Sequence, residues 1–511
     1  MKVFLMFRDR DFDARQELPP QASALTQDLG LETLFTVMAA GDKFLHEVAQ
    51  KAVLLSVTDV QTIIYRQHIL QDCLANPTII RQIYDICLEC LQNERRNFWG
   101  GLSSQPGMIL HRSVEVLHMF VGSLRKLKKI ADTEAAAFKS GGFKRFFAMI
   151  GEELGDAYFA EVQNHLKRLR FRGGVLVSAE LGKGNKGINY TLRRPDEREV
   201  GWLSAILTNP IFTHKPAYTF HIADRDEAGF RALSELRDKG INLAANALAR
   251  SNDHILSFLA ALRTELAFYL GCLNLHAQLT GRGGASCFPT PTAPDERRHS
   301  FQGLYDAGLA LSMDRRASGN DFDADGKALV IITGANQGGK TTFLRSVGLA
   351  QLMMQCGLFV PADSFQGAVC SGVFTHFRRE EDTAMRSGKF DEELSRMSDI
   401  ADHVRPCALL LFNESFAATN EREGSEIARQ VVAALLEANI RIFFVTHQFD
   451  FAHSIHVKSS PNTLFLRAGR RLDGTRTFRI LAGEPLDTSY GEDLYRKIFV
   501  PPQPQMAQEV R

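Results

Sequence analysis

Gly334, Gly338, Gly339, Lys340 and Thr341 stand in TGANQGGKTT, residues 333–342, with the spacing G-x-x-x-x-G-K-[ST]. A glycine-rich turn entering a helix aims backbone N–H groups and the positive end of the helix dipole at an anion, so the chemistry on offer is phosphate binding. In that geometry Lys340 neutralises β and γ oxygens of a nucleoside triphosphate, and the Thr341 hydroxyl ligates Mg²⁺. Asn336 and Thr342 belong to the same cradle.

A second stretch, LLLFNESFAATNEREGSEIA at 409–428, presents Asn413 and Glu414 at the end of an apolar run. Phosphate chemistry needs one acidic metal contact there and one carboxylate that polarises water, and the first of these is an amide. The exchange removes a charge interaction of at most about 4 kcal/mol at ~4 Å and an effective dielectric of ~20. Mg²⁺ keeps waters and phosphate oxygens as its main ligands, so metal binding should weaken without vanishing. Glu414 remains to orient the attacking water, and the expectation is a slow ATPase. The rival is a nucleotide switch that does not turn over. Thr446 and His447 follow a third apolar run, at the strand end where open α/β sheets bind ligands, and His447 is the candidate γ-phosphate sensor.

These residues need a sheet to position them. ALVIIT (328–333), ALLLF (408–412) and IRIFFV (440–445) are short apolar runs of the kind buried in a parallel sheet, with helical patterns between them. Ile427, Val431, Val432, Leu435 and Leu436 form one face, as a crossover helix requires. From about 20 to 280 the period is mostly helical, with segments at 32–55, 60–74 and 255–275, the last preceded by the cap candidates Ser251, Asn252 and Asp253. The interruption at 173–195, two β-type runs around GKGNKG, predicts a hairpin. The Gly/Pro/Ser/Thr-rich stretch at 280–298 is the expected boundary, giving a helical domain over 1–289 and an α/β nucleotide-binding domain over 290–511.

At 511 residues, 45% hydrophobic and 23% charged, the chain is a globular protein with more than one core. A formal charge of +1 argues against a basic nucleic-acid coat, so any DNA contact must be local. RKLKK (Arg125, Lys126, Lys128, Lys129) and LKRLRFRGG (Lys167, Arg168, Arg170, Arg172) are the candidates, competing with a solvated helix face. The apolar run at 3–7 is too short for a signal peptide, and the apolar helix from His254 carries Arg263 and Glu265, so a cytoplasmic protein without a membrane span is expected. Eight cysteines in apolar patterns, Cys87 and Cys90 among them, read as reduced core thiols. DFDADG (321–326) lacks the carboxylate a calcium loop needs at its twelfth position, Ile332, and the H-E start at His46 fails as a zinc motif at Gln50.

The motifs resemble those of the MutS family of DNA mismatch-repair ATPases. TGANQGGKTT is similar to that family's TGPNMGGKST, LLLFNESFAATNEREGSEIA to LLLxDExxRGTSTxDGxAIA, and FFVTHQFD to LFATHYFE. GLFVPAD (357–363), FTHF followed by RSGKFDEEL (374–377, 386–394) and TSYGEDL (488–494) keep the family order, and YRQHILQDCLANP and ELAFYLGCLNL resemble its helical core and lever more weakly. The resemblance implies a P-loop NTPase domain, ABC-like and of MutS type, preceded by a mostly α-helical core and lever with a small β element. It also implies ATP and Mg²⁺ as cofactors and a homodimer whose composite sites take Ser387 and Gly388 from the opposite subunit. No counterpart of the mismatch-reading wedge is expected, since the F-x-E of the helical half, Phe159 to Glu161, lies in a helical pattern. The expectation is a shortened relative that acts on DNA without reading mismatches itself. A nucleotide-gated scaffold docking a protein partner is the alternative.

Overall fold

A computed structural model describes residues 1–97, 105–171, 174–193, 222–223, 225–313, 317–379, 388–458, 460–471 and 475–486. Its helices are α1 (Ala22–Leu29), α2 (Leu31–Ala39), α3 (Lys43–Leu54), α4 (Val60–Ala75), α5 (Pro77–Asn97), α6 (Pro106–Glu134), α7 (Gly141–Glu153) and α8 (Asp156–Leu169), then α9 (Glu227–Gly281), α10 (Ala307–Ser312), α11 (Lys340–Gln355), α12 (Lys389–His403), α13 (Glu421–Glu437) and α14 (Phe449–Val457). By packing, the chain forms two compact units, one of residues 1–2, 82–135 and 146–263 and one of 3–81, 136–145 and 264–511. The position 289/290 falls inside the second unit.

In the first unit, α6 carries a buried stripe of Leu110, Val114, Leu117, Phe120, Val121 and Leu124 at helical spacing and packs on α8. Strands β1 (Val177–Leu181) and β2 (Gly187–Leu192) pair antiparallel as a hairpin. Ser251, Asn252 and Asp253 cap nothing, because α9 runs through them. Two of them bond elsewhere: Ser251 Oγ donates back to Ala247 O of the same helix at 3.1 Å, and Asn252 Nδ2 to Ser113 O of α6 at 2.9 Å.

The second unit is built on a six-stranded sheet ordered β12-β11-β6-β10-β9-β8. Its strands are β6 (Leu329–Gly334), β8 (Val373–Phe377), β9 (Leu409–Asn413), β10 (Arg441–Val445), β11 (Thr463–Arg470) and β12 (Arg476–Ala482). All neighbours pair parallel except β11 with β12. Alternate residues face opposite ways along each strand, so Leu329, Ile331, Leu410, Phe412, Ile442 and Phe444 share one core with Met397 of α12, Val432 of α13 and Phe451 of α14. Leu411 points the other way toward α11, where Gly348 gives it room: a Cβ at Gly348 would lie 2.7 Å from Leu411 Cδ1. A smaller sheet, β3 (Thr290–Thr292), β7 (Ser364–Ala368), β4 (His299–Leu304) and β5 (Asn320–Asp323), buries Phe301, which meets Phe343 of α11 with ring centroids 6.1 Å apart. That contact packs the first turn of α11 against the smaller sheet.

The segment 32–55 is two helices, because Ala40 and Gly41 take positive φ and Asp42 then caps α3 by accepting from Phe44 N and Leu45 N. The N-terminal apolar run is core: Val3, Leu5 and Met6 are buried, and Leu5 N, Met6 N and Phe12 N donate to the carboxylate of Glu265 in α9. Among the described residues α9 is the one helix long and apolar enough to cross a membrane, and 67% of its most apolar window is buried inside the protein. All eight cysteines are free thiols, six of them buried.

Candidate functional site

Strand β6 is buried along its whole length and ends at Gly334, whose φ of 102° is open to glycine alone at little cost. The turn that follows crosses close to β11: a Cβ on Gly338 would lie 2.6 Å from Ala468 Cβ and 2.8 Å from Ala335 O. Gln337 at φ 57° and Gly339 at φ 91° complete the turn, and α11 begins at Lys340 with Thr341 and Thr342 in its first turn. The loop's own carbonyls hold the lysine, since Lys340 Nζ donates to Gly334 O at 2.9 Å and Ala335 O at 3.1 Å. Burial pulls the Lys340 ammonium down to about 8; Glu414 opposes that shift and Arg476 adds to it.

The sheet order puts β10 next to β6 and β9 next to β10, so Asn413 and Glu414 arrive at the same edge. Thr341 Oγ1 donates to Asn413 Oδ1 at 3.1 Å. Glu414 takes φ 55°, an uncommon conformation for a residue with a Cβ, while its N–H donates to Val445 O at 2.9 Å. From there Glu414 Oε1 meets His447 Nε2 at 2.9 Å. The bond from His447 is the main cause of a carboxyl held below the usual glutamate range, with Lys340 and Arg378 as further cationic neighbours. Thr446 N donates to Ile332 O at 3.1 Å, and Gln448 closes the turn by donating to Thr446 Oγ1 at 3.0 Å and Phe416 O at 2.9 Å. Phe412 stacks on Phe444 with centroids 4.8 Å apart, which stiffens the two strand ends.

Two arginines that the sequence did not single out belong to this edge. Arg476 Nε of β12 donates to Asn336 O in the loop at 3.2 Å. Arg378 follows β8 directly, its N–H donating to Asn413 O at 2.9 Å, with an exposed side chain. The sequence held one signal for Arg378, its place right after FTHF, and none for Arg476, which lies 136 positions after Lys340. Gly388 immediately precedes α12 with open space around it. Ser387, residues 488–494 and Arg172 lie outside the described residues.

A divalent cation beside the loop would find Thr341 Oγ1 and Asn413 Oδ1, two neutral oxygens already within hydrogen-bond distance. The pair fits Mg²⁺ only as a minor part of its shell, with water and phosphate oxygens supplying the rest. The basic stretches of the first unit are partly paired: Lys126 with Glu89 at 2.9 Å, Lys128 with Asp132 at 2.5 Å and Arg170 with Glu115 at 3.5 Å, while Arg125 lies over the Phe159 ring. Surface pairs of this kind hold a cation by about 1 kcal/mol or less, so a phosphate can displace the carboxylate.

Two domain families match the chain. Residues 58–282 match the profile of the MutS2 N-terminal domain, and residues 330–509 match MutS domain V, so that the two together span most of the chain. The chain belongs to the MutS family. It is similar to a DNA mismatch repair protein MutS of Chloroflexus aurantiacus, 28% identical over 53% of this chain and 28% of the relative. A DNA mismatch repair protein MutS of Haloquadratum walsbyi is 31% identical over 34% of the chain and 19% of the relative. MutS protein homolog 4 of Homo sapiens is 29% identical over 30% of the chain and 16% of the relative. This MutS-family chain thus matches a quarter or so, or less, of the length of these curated relatives.

Proposed function

We propose that the second unit carries a P-loop NTPase site, ABC-like and of MutS type, that binds ATP and hydrolyses it slowly. The observation that carries the reading is the convergence of Lys340, Thr341, Asn413, Glu414 and His447 on one edge of three adjacent strands. The loop N–H groups and Lys340 hold the β and γ phosphates, which requires the lysine to leave the Gly334 and Ala335 carbonyls. Glu414, kept ionised by His447, accepts a hydrogen bond from the attacking water and aligns it with the γ-phosphorus. His447 holds that carboxylate in place and senses the γ-phosphate. Thr341 and Asn413, with water and phosphate oxygens, would hold Mg²⁺ when it is bound, and the ion would add to the neutralisation of the phosphate oxygens. Slowness follows from the neutral Asn413, which stabilises charge building on the leaving phosphate less than a carboxylate-held metal does.

In the same reading the protein is a cytoplasmic homodimer in which Ser387 and Gly388 complete the partner's site, and the closing of that site moves the helical unit on DNA. Lys129, Lys167 and their basic neighbours contact the phosphate backbone. The relatives named for DNA mismatch repair support DNA as the partner class. A nucleotide-gated scaffold with vestigial hydrolysis is favoured by one observation, the Thr341–Asn413 bond that offers a metal no charge. Steady-state Mg²⁺-ATP hydrolysis by the native chain, Lys340→Ala and Glu414→Gln, with and without duplex DNA, separates the two. Turnover lost in both variants is expected. ATP binding with no native turnover above the variants would leave the scaffold.

A further inference from the structure

The charges around the loop do not balance. Lys340 and Arg476 lie at the phosphate loop, and Arg378, at the end of β8, faces Glu414 and Glu393; Glu414 is itself bonded to His447. Arg476 is placed by its bond to Asn336 O, so its guanidinium lies on the loop. Arg378 is placed by register: Phe377 pairs with Asn413, and the next N–H donates to Asn413 O, which starts the Arg378 side chain at the edge where Glu414 stands. Its cation helps keep Glu414 ionised, and its side chain is exposed.

We propose that Arg378 and Arg476 take over the charge-neutralising task of the divalent cation, so that this chain binds the nucleotide triphosphate with little dependence on metal. The inference rests on the nucleotide-site reading above. Two guanidinium groups bring the same formal charge as one divalent ion, and each can bond two phosphate oxygens at once. The neutral Asn413 belongs to the same arrangement, since a carboxylate beside Thr341 would repel a metal-free triphosphate.

Equilibrium binding of ATP to the full chain, by calorimetry at fixed ionic strength with Mg²⁺ or with EDTA, tests this. The native Kd should change by less than about tenfold on chelation. Arg378→Ala should lose about tenfold or more without metal and recover much of that with Mg²⁺, and Arg378→Lys should fall between. Asn413→Asp, which leaves both arginines in place, should weaken metal-free binding by about tenfold and restore dependence on Mg²⁺. Native binding that requires Mg²⁺, or Arg378→Ala and Asn413→Asp that both leave metal-free affinity unchanged, overturns the inference. Binding in neither condition overturns the nucleotide-site reading itself.

Discussion

The Thr341 hydroxyl donates to Asn413 Oδ1 across 3.1 Å, joining the first turn of α11 to the end of β9 by a bond between two uncharged groups. Both oxygens could join a metal's shell, and neither carries charge. Asn413→Asp should therefore lower the Mg²⁺ concentration for half-maximal ATP turnover by about tenfold or more, within the upper bound of about 4 kcal/mol for one charge at ~4 Å. A metal titration of steady-state turnover checks this. An unchanged midpoint would mean that residue 413 is not in the metal's shell.

Glu414 and His447 act as a unit if the 2.9 Å contact between them is what orients the carboxylate. Glu414→Gln should abolish turnover nearly completely, and His447→Ala should reduce it by about 10². The double variant should be no slower than Glu414→Gln alone, because groups that work together give non-additive losses. Additive losses in single-turnover kinetics would separate the two roles.

Burial raises Glu265 to about 7, outweighing the three backbone N–H donors around it. A carboxyl whose folded value lies above its unfolded value contributes most below the unfolded value, and the contribution is lost as pH rises through the folded one. Between about 4.5 and 7 the native state holds the extra proton, so stability should fall by about 3 kcal/mol across that window. Glu265→Gln should flatten the slope. Parallel urea-denaturation profiles at pH 5, 6, 7 and 8 would refute the assignment.

Gly338 leaves no room for a side chain against Ala468 and the Ala335 carbonyl. Gly338→Ala should cost about 1–3 kcal/mol of stability and weaken ATP binding by about tenfold or more. Adding Ala468→Gly removes one of the two obstructing atoms, so affinity should return in part. No rescue in the double variant would place the damage elsewhere in the loop.

What the sequence made legible is what is local. The spacing 334–341 dictates a turn whose glycines are needed at positive φ and close approach, and three apolar runs dictate buried strands. Ser251, Asn252 and Asp253 misled because capping residues and helix-interior residues that bond back to the helix are the same types. Glu265, read as a charge excluding a membrane, is an acceptor for the irregular N-terminal segment of the chain, a pairing across some 260 residues that no periodicity encodes. Arg378 and Arg476 stayed hidden for the same reason. Their position depends on β8 and β12 lying at opposite edges of one sheet, and sheet order is set by crossovers.

The basic stretches give a prediction that depends on pairing. Lys126 and Lys128 are engaged with Glu89 and Asp132, so binding a duplex there trades a carboxylate for a phosphate, whereas Lys129 and Lys167 are exposed. If these faces hold DNA by its backbone, affinity falls linearly with log salt, with a slope of about 0.9 per phosphate contact in duplex DNA. Lys129→Ala with Lys167→Ala should lower that slope by about two and weaken binding for every sequence alike. Lys126→Ala should change it less, because Glu89 already engages that lysine's charge. A salt titration of duplex affinity decides it. A slope near zero in the native chain would take DNA backbone contact away from this surface and favour a protein partner.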